Sequence, residues 1–302
     1  MTSVSFIIPV YNKSKFLKPV INSIKSQKGK FKKEYIFIDD GSTDDSYKIL
    51  KQETKDIKSC QIIKQENKGS ANATNQGIIL AKMKYIKFLD ADDLILSDST
   101  RLLVDILEKN SSCILAYGLQ RKVKNIESVN LNERINNYEI EIIENPIELA
   151  MRNSMFNPSQ FLVKTSICKS VGGCDERIRF SQEYSLTLKL SKIGSFVKLN
   201  YPIAILPFSA PGQISEKKNN QIFRVSKALE LFINENNDLP NETRLYAQRR
   251  LTARAWRFAR NNKIKKLYLR YFFLYLIGLL RINIKPLEVC KQANKIYEPF
   301  LD

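Results

Sequence analysis

The sequence predicts an α/β fold with a mostly parallel sheet and helices on both faces. In roughly the first hundred residues, short runs rich in β-branched side chains alternate with segments whose apolar residues recur at helical spacing. This alternation is typical of a parallel sheet. Polar and acidic residues follow each predicted strand, and such sheets bind ligands at the carboxyl ends of their strands.

The first four strands and three helices follow one another directly. VSFIIPV predicts a buried strand, and FLKPVINSIKSQ a helix with Pro19 in its first turns. EYIFIDD predicts the second strand, and STDDSYKILKQE begins with hydroxyl and carboxylate residues that favour a helix start. The third strand is CQIIKQE, the third helix is SANATNQGIILAKM and the fourth strand is KYIKFLD.

The pattern is less regular after residue 94. STRLLVDILEKN predicts a helix and CILAYGL a strand, followed by a polar, irregular stretch to about residue 150. We expect a strand at Gln160–Lys164, then a short helix, a Gly-Gly turn and an amphipathic helix in SQEYSLTLKLSKIG. FVKLNYPIAIL predicts one or two strands. A change of composition near 215–240 opens an α-helical region, so we expect one domain at 1–215 and a helical region at 216–302.

Charge and composition restrict the kinds of function. The chain has 49 Lys and Arg against 31 Asp and Glu, a formal net charge of +18, which favours an anionic partner. It has no histidine, which excludes Ser-His-Asp and Cys-His catalysis and His-ligated metals. The five cysteines form no CxxC pair and suit a reducing compartment as small buried residues. Nucleic acid is not predicted as a partner, because the chain shows no zinc-ligand spacing, helix-turn-helix pattern or RNP-like strand.

The two ends of the chain bear on location. The N-terminal segment has no basic n-region and its apolar run is interrupted by Pro9, so no signal peptide is predicted and a cytoplasmic location is expected. Residues 241–302 carry 14 Lys and Arg against 4 Asp and Glu. The apolar run Tyr271–Leu280 is about half the length of a membrane span. It predicts either a buried packing helix or an in-plane contact with an anionic membrane surface or a lipid-linked acceptor.

Three carboxylates follow the fourth strand within four positions, at Asp90, Asp92 and Asp93. They could be solvated acids before a helix. They could also hold Mg²⁺ or Mn²⁺, since these cations take one or two carboxylates together with substrate phosphates. In that case Asp39 and Asp40, at the end of the second strand, would serve the nucleoside end of the ligand, and Asp93 would orient the loop.

Several motifs together resemble the family 2 glycosyltransferases. They are VSFIIPVYNKSKFLKPVINSIKSQ, YIFIDDGSTDDS, NKGSANATNQGI and YIKFLDADD, in that order, followed by VGGCDERIRFSQEYSLTLKLSKIG on the acceptor side. The resemblance implies the GT-A fold for roughly 1–215. It also implies inverting transfer of a sugar, with UDP as the expected nucleotide, to a hydroxyl of a glycan or lipid-linked acceptor in cell-surface polysaccharide or lipopolysaccharide synthesis.

The resemblance also implies roles for individual residues. Glu183 falls at the position of the catalytic base, and Asp39 at that of the uracil-binding acid. Asp92 would bind Mn²⁺ or Mg²⁺, with Asp90 as a second ligand. The residues expected to bind the donor are Pro9, Val10, Tyr11, Asn12, Asp39, Asn67, Gly69, Asn75, Asp90 and Ala91.

The chain departs from the family pattern in three places. Thr74 stands where the family commonly has Arg, and Phe208, Ser209 and Ala210 replace an Arg and His segment. Glu183 replaces the usual Asp and is one methylene longer. These departures leave a second hypothesis open, that of a catalytically degenerate protein that acts as a binding or partner subunit.

Overall fold

A mixed sheet forms the centre of the computed structural model, which describes residues 2–133, 137–178, 182–208, 218–264 and 268–300. Within these ranges the sheet has nine strands, in the order β3-β2-β1-β4-β8-β6-β9-β5, with β7 paired to β9. The strands are β1 (Ser3–Val10), β2 (Lys32–Asp40), β3 (Cys60–Gln65), β4 (Tyr85–Phe88), β5 (Leu94–Ile95), β6 (Leu115–Val123), β7 (Ile140–Ile143), β8 (Phe161–Lys164) and β9 (Phe196–Pro207).

The predicted α/β class is confirmed, and the sheet has two parts. The first part is parallel, because β1 pairs with both β2 and β4, and β2 pairs with β3. In the second part β6 and β9 are parallel, whereas β8 runs antiparallel to both β4 and β6. The carboxyl ends of β1, β2, β3 and β4 therefore share one edge.

Helices cover the sheet and extend beyond it. They are α1 (Ser14–Lys25), α2 (Ser46–Glu53), α3 (Ser70–Leu80), α4 (Ser99–Lys109), α5 (Ile147–Arg152), α6 (Thr165–Ser170), α7 (Gln182–Ser191), α8 (Lys218–Glu235), α9 (Asn241–Asn261), α10 (Tyr268–Leu279) and α11 (Pro286–Asn294). A 3-10 turn at Pro158–Gln160 precedes β8, and a 3-10 helix at Lys295–Phe300 follows α11. In the polar stretch before residue 150, β7 and the start of α5 were not predicted.

Alternating side chains of the strands build two cores. Phe6 and Ile8 pack on one face of the sheet with Leu17 of α1 and Leu103 of α4. Ile7, between them, points to the opposite face, as the twofold period of a strand requires. The second core also contains residues of α3 and α7, which are Ala71, Ala73, Ile78, Leu186 and Leu190.

A third core joins the C-terminal helices to the sheet domain. It contains Met151 of α5 and Tyr184 and Leu188 of α7, packed with residues of α8, α9, α10 and α11. The same helix α7 therefore contributes to two cores. The predicted boundary between residues 215 and 216 lies outside the described residues.

Helix α10 contains most of the apolar run Tyr271–Leu280, which predicts either a buried packing helix or an in-plane membrane contact. Tyr271 and Gly278 are buried, whereas most of its other side chains are partly or fully exposed. The helix therefore has one buried side and one exposed side, and the proposed membrane contact of the exposed side stays a prediction. None of the described helices is both long enough and apolar enough to cross a membrane.

Candidate active site

The loops after β1 and β2 are bonded into one unit. Asn12 has a positive φ of 50°, and its Oδ1 accepts a hydrogen bond from Thr43 N at 2.8 Å. The backbone N of Asn12 donates to Ser42 Oγ at 3.0 Å, and Lys13 N donates to Ser46 Oγ at 2.8 Å. Asn12 therefore shapes the edge of the sheet where the donor is expected.

The other predicted residues around the loop after β1 differ in whether their side chains can reach a donor. Tyr11 is exposed, so its ring is available to a ligand, and Pro9 lines a cleft described below. The side chains of Val10 and Ala91 are buried in the first core. These two residues can contribute only backbone groups to a donor site.

Asp39 and Asp40 have different surroundings. Oδ1 of Asp39 accepts from Ser42 N at 3.2 Å, whereas its buried Oδ2 has no hydrogen-bond partner among the described residues. Asp40 accepts from the backbone N of Lys68 and of Gly69, each at 2.9 Å. Asp40 thus holds the loop after β3, and Asp39 keeps an unused acceptor oxygen of the kind that a ligand N–H would satisfy.

The predicted donor residues of the third loop lie around the start of α3. Gly69 precedes the helix at φ 90°, a conformation that favours glycine, and Asn67 is exposed. Asn75 lies deeper in α3. Its amide bonds the backbone N of Cys174 at 2.8 Å and Glu176 Oε1 at 2.8 Å. Asn75 therefore connects α3 to the segment after α6, a contact that the sequence did not predict.

The three acids after β4 point to different partners. Asp92 Oδ2 lies 2.5 Å from Lys13 Nζ. Asp93 Oδ2 accepts from Ser159 Oγ at 2.6 Å, and the same hydroxyl accepts from Asp90 N at 3.0 Å. Asp93 and Ser159 together fix the turn that carries Asp90, in agreement with the predicted loop-orienting role of Asp93.

Sequence reasoning missed a buried lysine beside these acids. Lys87 in β4 is fully buried, and its Nζ donates to Ser159 O at 2.5 Å and to Phe88 O at 3.0 Å. Burial lowers the pKa of Lys87 to about 7, opposed by the charges of Asp93 and Asp90. A lysine inside the apolar run YIKFL is the only sequence signal of this arrangement.

The predicted base, Glu183, and Asp90 line the same open cleft. Glu183 stands in the first turn of α7, and Asp90 follows the end of β4. The fold therefore brings together two predicted site residues that are about ninety positions apart in the chain. The cleft is lined by Pro9, Thr74, Phe88, Asp90, Pro158, Phe161, Cys174, Gln182, Glu183 and Leu186.

Both acids of the cleft hold protons more tightly than free carboxyl groups. Burial raises the pKa of Glu183 to about 7. Burial also raises the pKa of Asp90 to about 8, and the negative charges of Asp92 and Glu183 add to that effect. Raised carboxyl pKa values in a cleft are typical of acid–base sites.

Two contacts hold α7 in this position. At its start, Ser70 Oγ donates to Gln182 Oε1 at 2.8 Å, which joins α7 to α3. One residue after Glu183, the hydroxyl of Tyr184 accepts from Arg254 Nη2 of α9 at 3.3 Å. Arg254 also donates to Met151 O at 3.2 Å. The C-terminal helices therefore support the helix that carries Glu183.

The chemistry of the site allows a cation only with help from a ligand. The described residues contain no group of three or more His, Cys, Asp or Glu side chains that could hold a metal ion by themselves. Asp90 and Asp92 supply carboxylate oxygens, and a diphosphate would supply further oxygens. This donor set fits Mg²⁺ or Mn²⁺, provided that the cation replaces Lys13 beside Asp92.

The structure describes only some of the positions that depart from the family pattern. Thr74 lines the cleft and is almost fully buried, so it presents a small hydroxyl where a long cation is common. Phe208 is exposed at the end of β9. Ser209 and Ala210 lie outside the described residues.

Solved structures identify the class of fold. The chain matches S. aureus TarS 1-349 in complex with UDP-GlcNAc over 99% of this chain and 91% of that one, with a TM-score of 0.67 and 16% identity. It also matches the mannosyltransferase PcManGT from Pyrobaculum calidifontis, solved with GDP-Man and Mn²⁺, over 97% of this chain and 86% of that one (TM-score 0.57, 15% identity). The chain thus has the GT-A fold, as predicted.

The sequence comparison identifies the family. The family model described as Glycosyl transferase family 2 matches residues 5–171, which is more than half of the chain. The chain belongs to this family, and the predicted resemblance is confirmed. It is 29% identical to the chondroitin synthase of Escherichia coli over 197 residues, which are 65% of this chain and 28% of that protein. The chain thus spans little more than a quarter of that relative's length.

Proposed function

We propose that this glycosyltransferase inverts the anomeric centre as it moves a sugar from a UDP-sugar to a hydroxyl of a glycan or lipid-linked acceptor. The observation that carries the proposal is the cleft that Glu183 and Asp90 line together. The complex of TarS with UDP-GlcNAc supports UDP as the nucleotide, and the similarity to chondroitin synthase supports a polysaccharide product. Cell-surface polysaccharide or lipopolysaccharide synthesis would use such a reaction.

The donor would bind along the carboxyl ends of the parallel strands. The unsatisfied Oδ2 of Asp39 would accept the N–H of uracil, and the exposed ring of Tyr11 would stack on the base. Asn12 and Gly69 would act through the loop shapes that they hold. Asn67 would contact the donor from the loop after β3. Asp90 would then meet the ribose end, beside the cleft.

Glu183 would act as the general base. An inverting transfer needs one carboxylate to take the proton of the acceptor hydroxyl as that oxygen attacks the anomeric carbon. With a pKa near 7, Glu183 is substantially ionised at neutral pH and is a stronger base than an ordinary carboxylate. The carbon–oxygen bond to the nucleoside diphosphate breaks as the new bond forms, so no covalent enzyme intermediate is required.

A divalent cation, Mn²⁺ or Mg²⁺, would bind Asp92 with Asp90 as a second ligand. When bound, it would supply positive charge to the diphosphate leaving group. Lys13 would be displaced from Asp92 and would then lie near the same phosphates. The neighbour that was solved with GDP-Man and Mn²⁺ supports a cation at this edge of the fold.

The site of action would be the cytoplasm, at the inner face of the membrane. The basic C-terminal region supports this placement, because 241–302 carries 14 basic against 4 acidic residues. An acceptor linked to lipid would be presented at that surface.

The experiment is an assay of UDP release with a panel of UDP-sugars, an acceptor extract and either Mn²⁺ or Mg²⁺, followed by the mass of the product. We expect one donor to be turned over. Glu183→Gln should lower kcat by roughly 10²- to 10⁴-fold and leave UDP binding intact. The matched control is Glu148→Gln, which changes an exposed acid in the first turn of α5.

Two outcomes would contradict the proposal. If no donor is turned over and Asp39→Ala leaves UDP affinity unchanged, the degenerate binding subunit is the better description. If Glu183→Gln retains the full rate, another group is the base.

A further inference from the structure

Helix α10 carries an apolar stripe on its outward side. Leu269 is 74% exposed, Phe273 59% and Leu280, directly after the helix, 67%. Phe273 follows Leu269 by four residues, and Leu280 follows Phe273 by seven, so the three side chains lie along one side of a helix. Phe272, Leu279 and Ile284 extend the exposed apolar surface. A helix on the surface of a globular protein normally presents polar residues in these places.

The packing of α10 on α9 fixes which side faces outward. Gly278 approaches α9 so closely that a Cβ there would overlap Thr252 Oγ1 and lie 3.1 Å from Arg249 Cα. Tyr271 is buried in the third core. Trp256 of α9 packs against Phe272, with ring centroids 5.4 Å apart. Because these contacts use the inner side of α10, the stripe lies outside the core.

The sequence around the stripe is strongly basic, although Glu288 and Glu298 lie on the elements that follow it. Residues 243–287 contain 12 Lys and Arg and no Asp or Glu. Several of these cations are exposed in the described part, at Arg257, Arg260, Lys263, Arg270, Arg281 and Lys285. Exposed apolar side chains flanked by Lys and Arg are the pattern of a helix that lies in the headgroup region of a membrane. Each cation near an anionic surface adds about 1 kcal/mol of attraction.

We propose that α10 docks in the plane of an anionic lipid surface. The stripe, defined as Leu269, Phe273 and Leu280, would enter the boundary between headgroups and acyl chains, and the cations would contact lipid phosphates. The helix has 12 residues and is about 18 Å long, which is too short to cross a hydrocarbon core of about 30 Å. Docking of a second copy on the same face is disfavoured, because it would bring two strongly basic surfaces together.

Lipid docking and sugar transfer are separate properties in this proposal. The stripe lies on α10, whereas the predicted donor and base residues lie on loops of the sheet and on α7. A protein that fails to bind lipid can therefore still turn over a donor with a water-soluble acceptor. Conversely, Glu183→Gln should bind lipid as the unmodified chain does.

The test uses the full chain and sedimentation with two kinds of vesicle, pure phosphatidylcholine and a mixture with 30 mol% phosphatidylglycerol. We expect binding to the anionic vesicles that weakens as salt is added. The double change Phe273→Ser and Leu280→Ser should weaken this binding by at least tenfold. The matched control is Ile79→Ser with Ile193→Ser, which changes two exposed apolar residues on other elements and should bind like the unmodified chain.

A second measurement does not depend on sedimentation. Trp256 is the single tryptophan of the chain and contacts α10. Its emission should shift to the blue with anionic vesicles, and brominated lipid should quench it. Equal binding to pure phosphatidylcholine, or unchanged binding of the folded double variant, would overturn the proposal. So would a dimer in solution that the double variant dissociates, since the stripe would then be a subunit interface.

Discussion

Lys13 Nζ lies 2.5 Å from Asp92 Oδ2. The ammonium group of Lys13 therefore forms an ion pair with the carboxylate that is expected to bind metal. The pair links the loops after β1 and β4, which are 79 residues apart in the sequence. Both side chains are largely shielded from water, so the attraction between the two charges is screened less than in an exposed ion pair. A cation that uses Asp92 must first displace this lysine.

Lys13→Ala should therefore increase the affinity of the ligand-free protein for Mn²⁺. We expect a gain of about three- to tenfold, because the metal no longer competes with an ammonium group. Electron paramagnetic resonance of free Mn²⁺ during a titration measures the change. Lys15→Ala, at an exposed lysine two positions away, should leave the affinity as it is. Equal Mn²⁺ affinities for Lys13→Ala and the unmodified chain would show that Lys13 does not compete.

The rate of transfer should depend on the ionisation of Glu183. Because burial raises its pKa to about 7, the group is protonated and inactive as a base below that pH. We expect kcat/KM to rise through pH 6 to 8, with its midpoint near pH 7, and then to level off. The residual rate of Glu183→Gln should lack this inflection. An identical pH profile in both proteins would assign the inflection to another group.

The same group should affect stability in the opposite direction. The folded state keeps a proton on Glu183 between pH 4.5 and about 7, where the unfolded chain has lost it. The free energy of unfolding should therefore fall as pH rises through this interval. Relative to the unmodified chain, Glu183→Gln should gain about 1 to 3 kcal/mol between pH 4.5 and 8.

Urea unfolding at a series of pH values measures this gain. Glu148→Gln should show no such trend, because Glu148 is exposed. A constant difference between Glu183→Gln and the unmodified chain across the pH range would contradict the assignment.

Arg254 should act as a positioning residue for Glu183. Its guanidinium donates to Tyr184 Oη and to Met151 O, and Arg254→Met would remove both bonds, whereas Tyr184 Oη would still donate to Met151 O. We expect a loss of about 1 to 3 kcal/mol of unfolding free energy. We also expect kcat to fall about tenfold or more with little change in UDP affinity, because the donor loops lie on other elements. The control is Arg257→Met, an exposed position of α9. Equal losses of kcat and UDP affinity would indicate a general loss of structure.

Gly77 tests the contact between α3 and β1. A methyl group on Gly77 would overlap Ile7 Cγ2, so Gly77→Ala should destabilise the protein by about 1 to 3 kcal/mol. Helix propensity alone predicts the opposite sign, a gain of about 1 kcal/mol. The urea concentration at the midpoint of unfolding decides between the clash and the helix propensity. A higher midpoint for Gly77→Ala than for the unmodified chain would show that Ile7 can move aside.

The first hundred residues were predictable because each element there has a strong period and a clear end. The strand β7 and the helix α5 were missed for physical reasons. Ile140 and Ile142 of β7 are both exposed and only Ile143 packs against a core, so the strand has no run of alternating buried residues to produce a recognisable pattern. Helix α5 has only six residues, which is less than two turns. The antiparallel insertion of β8 depends on distant pairing and leaves no local signal.

In the candidate site, too, residues within local motifs were predictable, whereas contacts between distant parts of the chain were not. Asp39, Asp90 and Glu183 could be proposed because each stands in a motif that follows a strand or begins a helix. The contacts of Lys13 with Asp92 and of Arg254 with Tyr184 were not predicted, since these residues meet only through the tertiary fold. Asn75 is predicted to bind the donor, and nothing in the sequence indicates that its amide also holds the backbone of Cys174.

The third core also has a consequence for the order of events during synthesis. Tyr184 and Leu188 are covered by residues of α9, the last of which, Ala259, is made more than seventy positions later. A ribosome therefore releases the sheet and the donor loops well before α7 has its full set of neighbours. Domains generally fold as units during translation, so a nascent chain should bind UDP before it can transfer a sugar. Late completion of α7 would keep the half-made enzyme from consuming its donor.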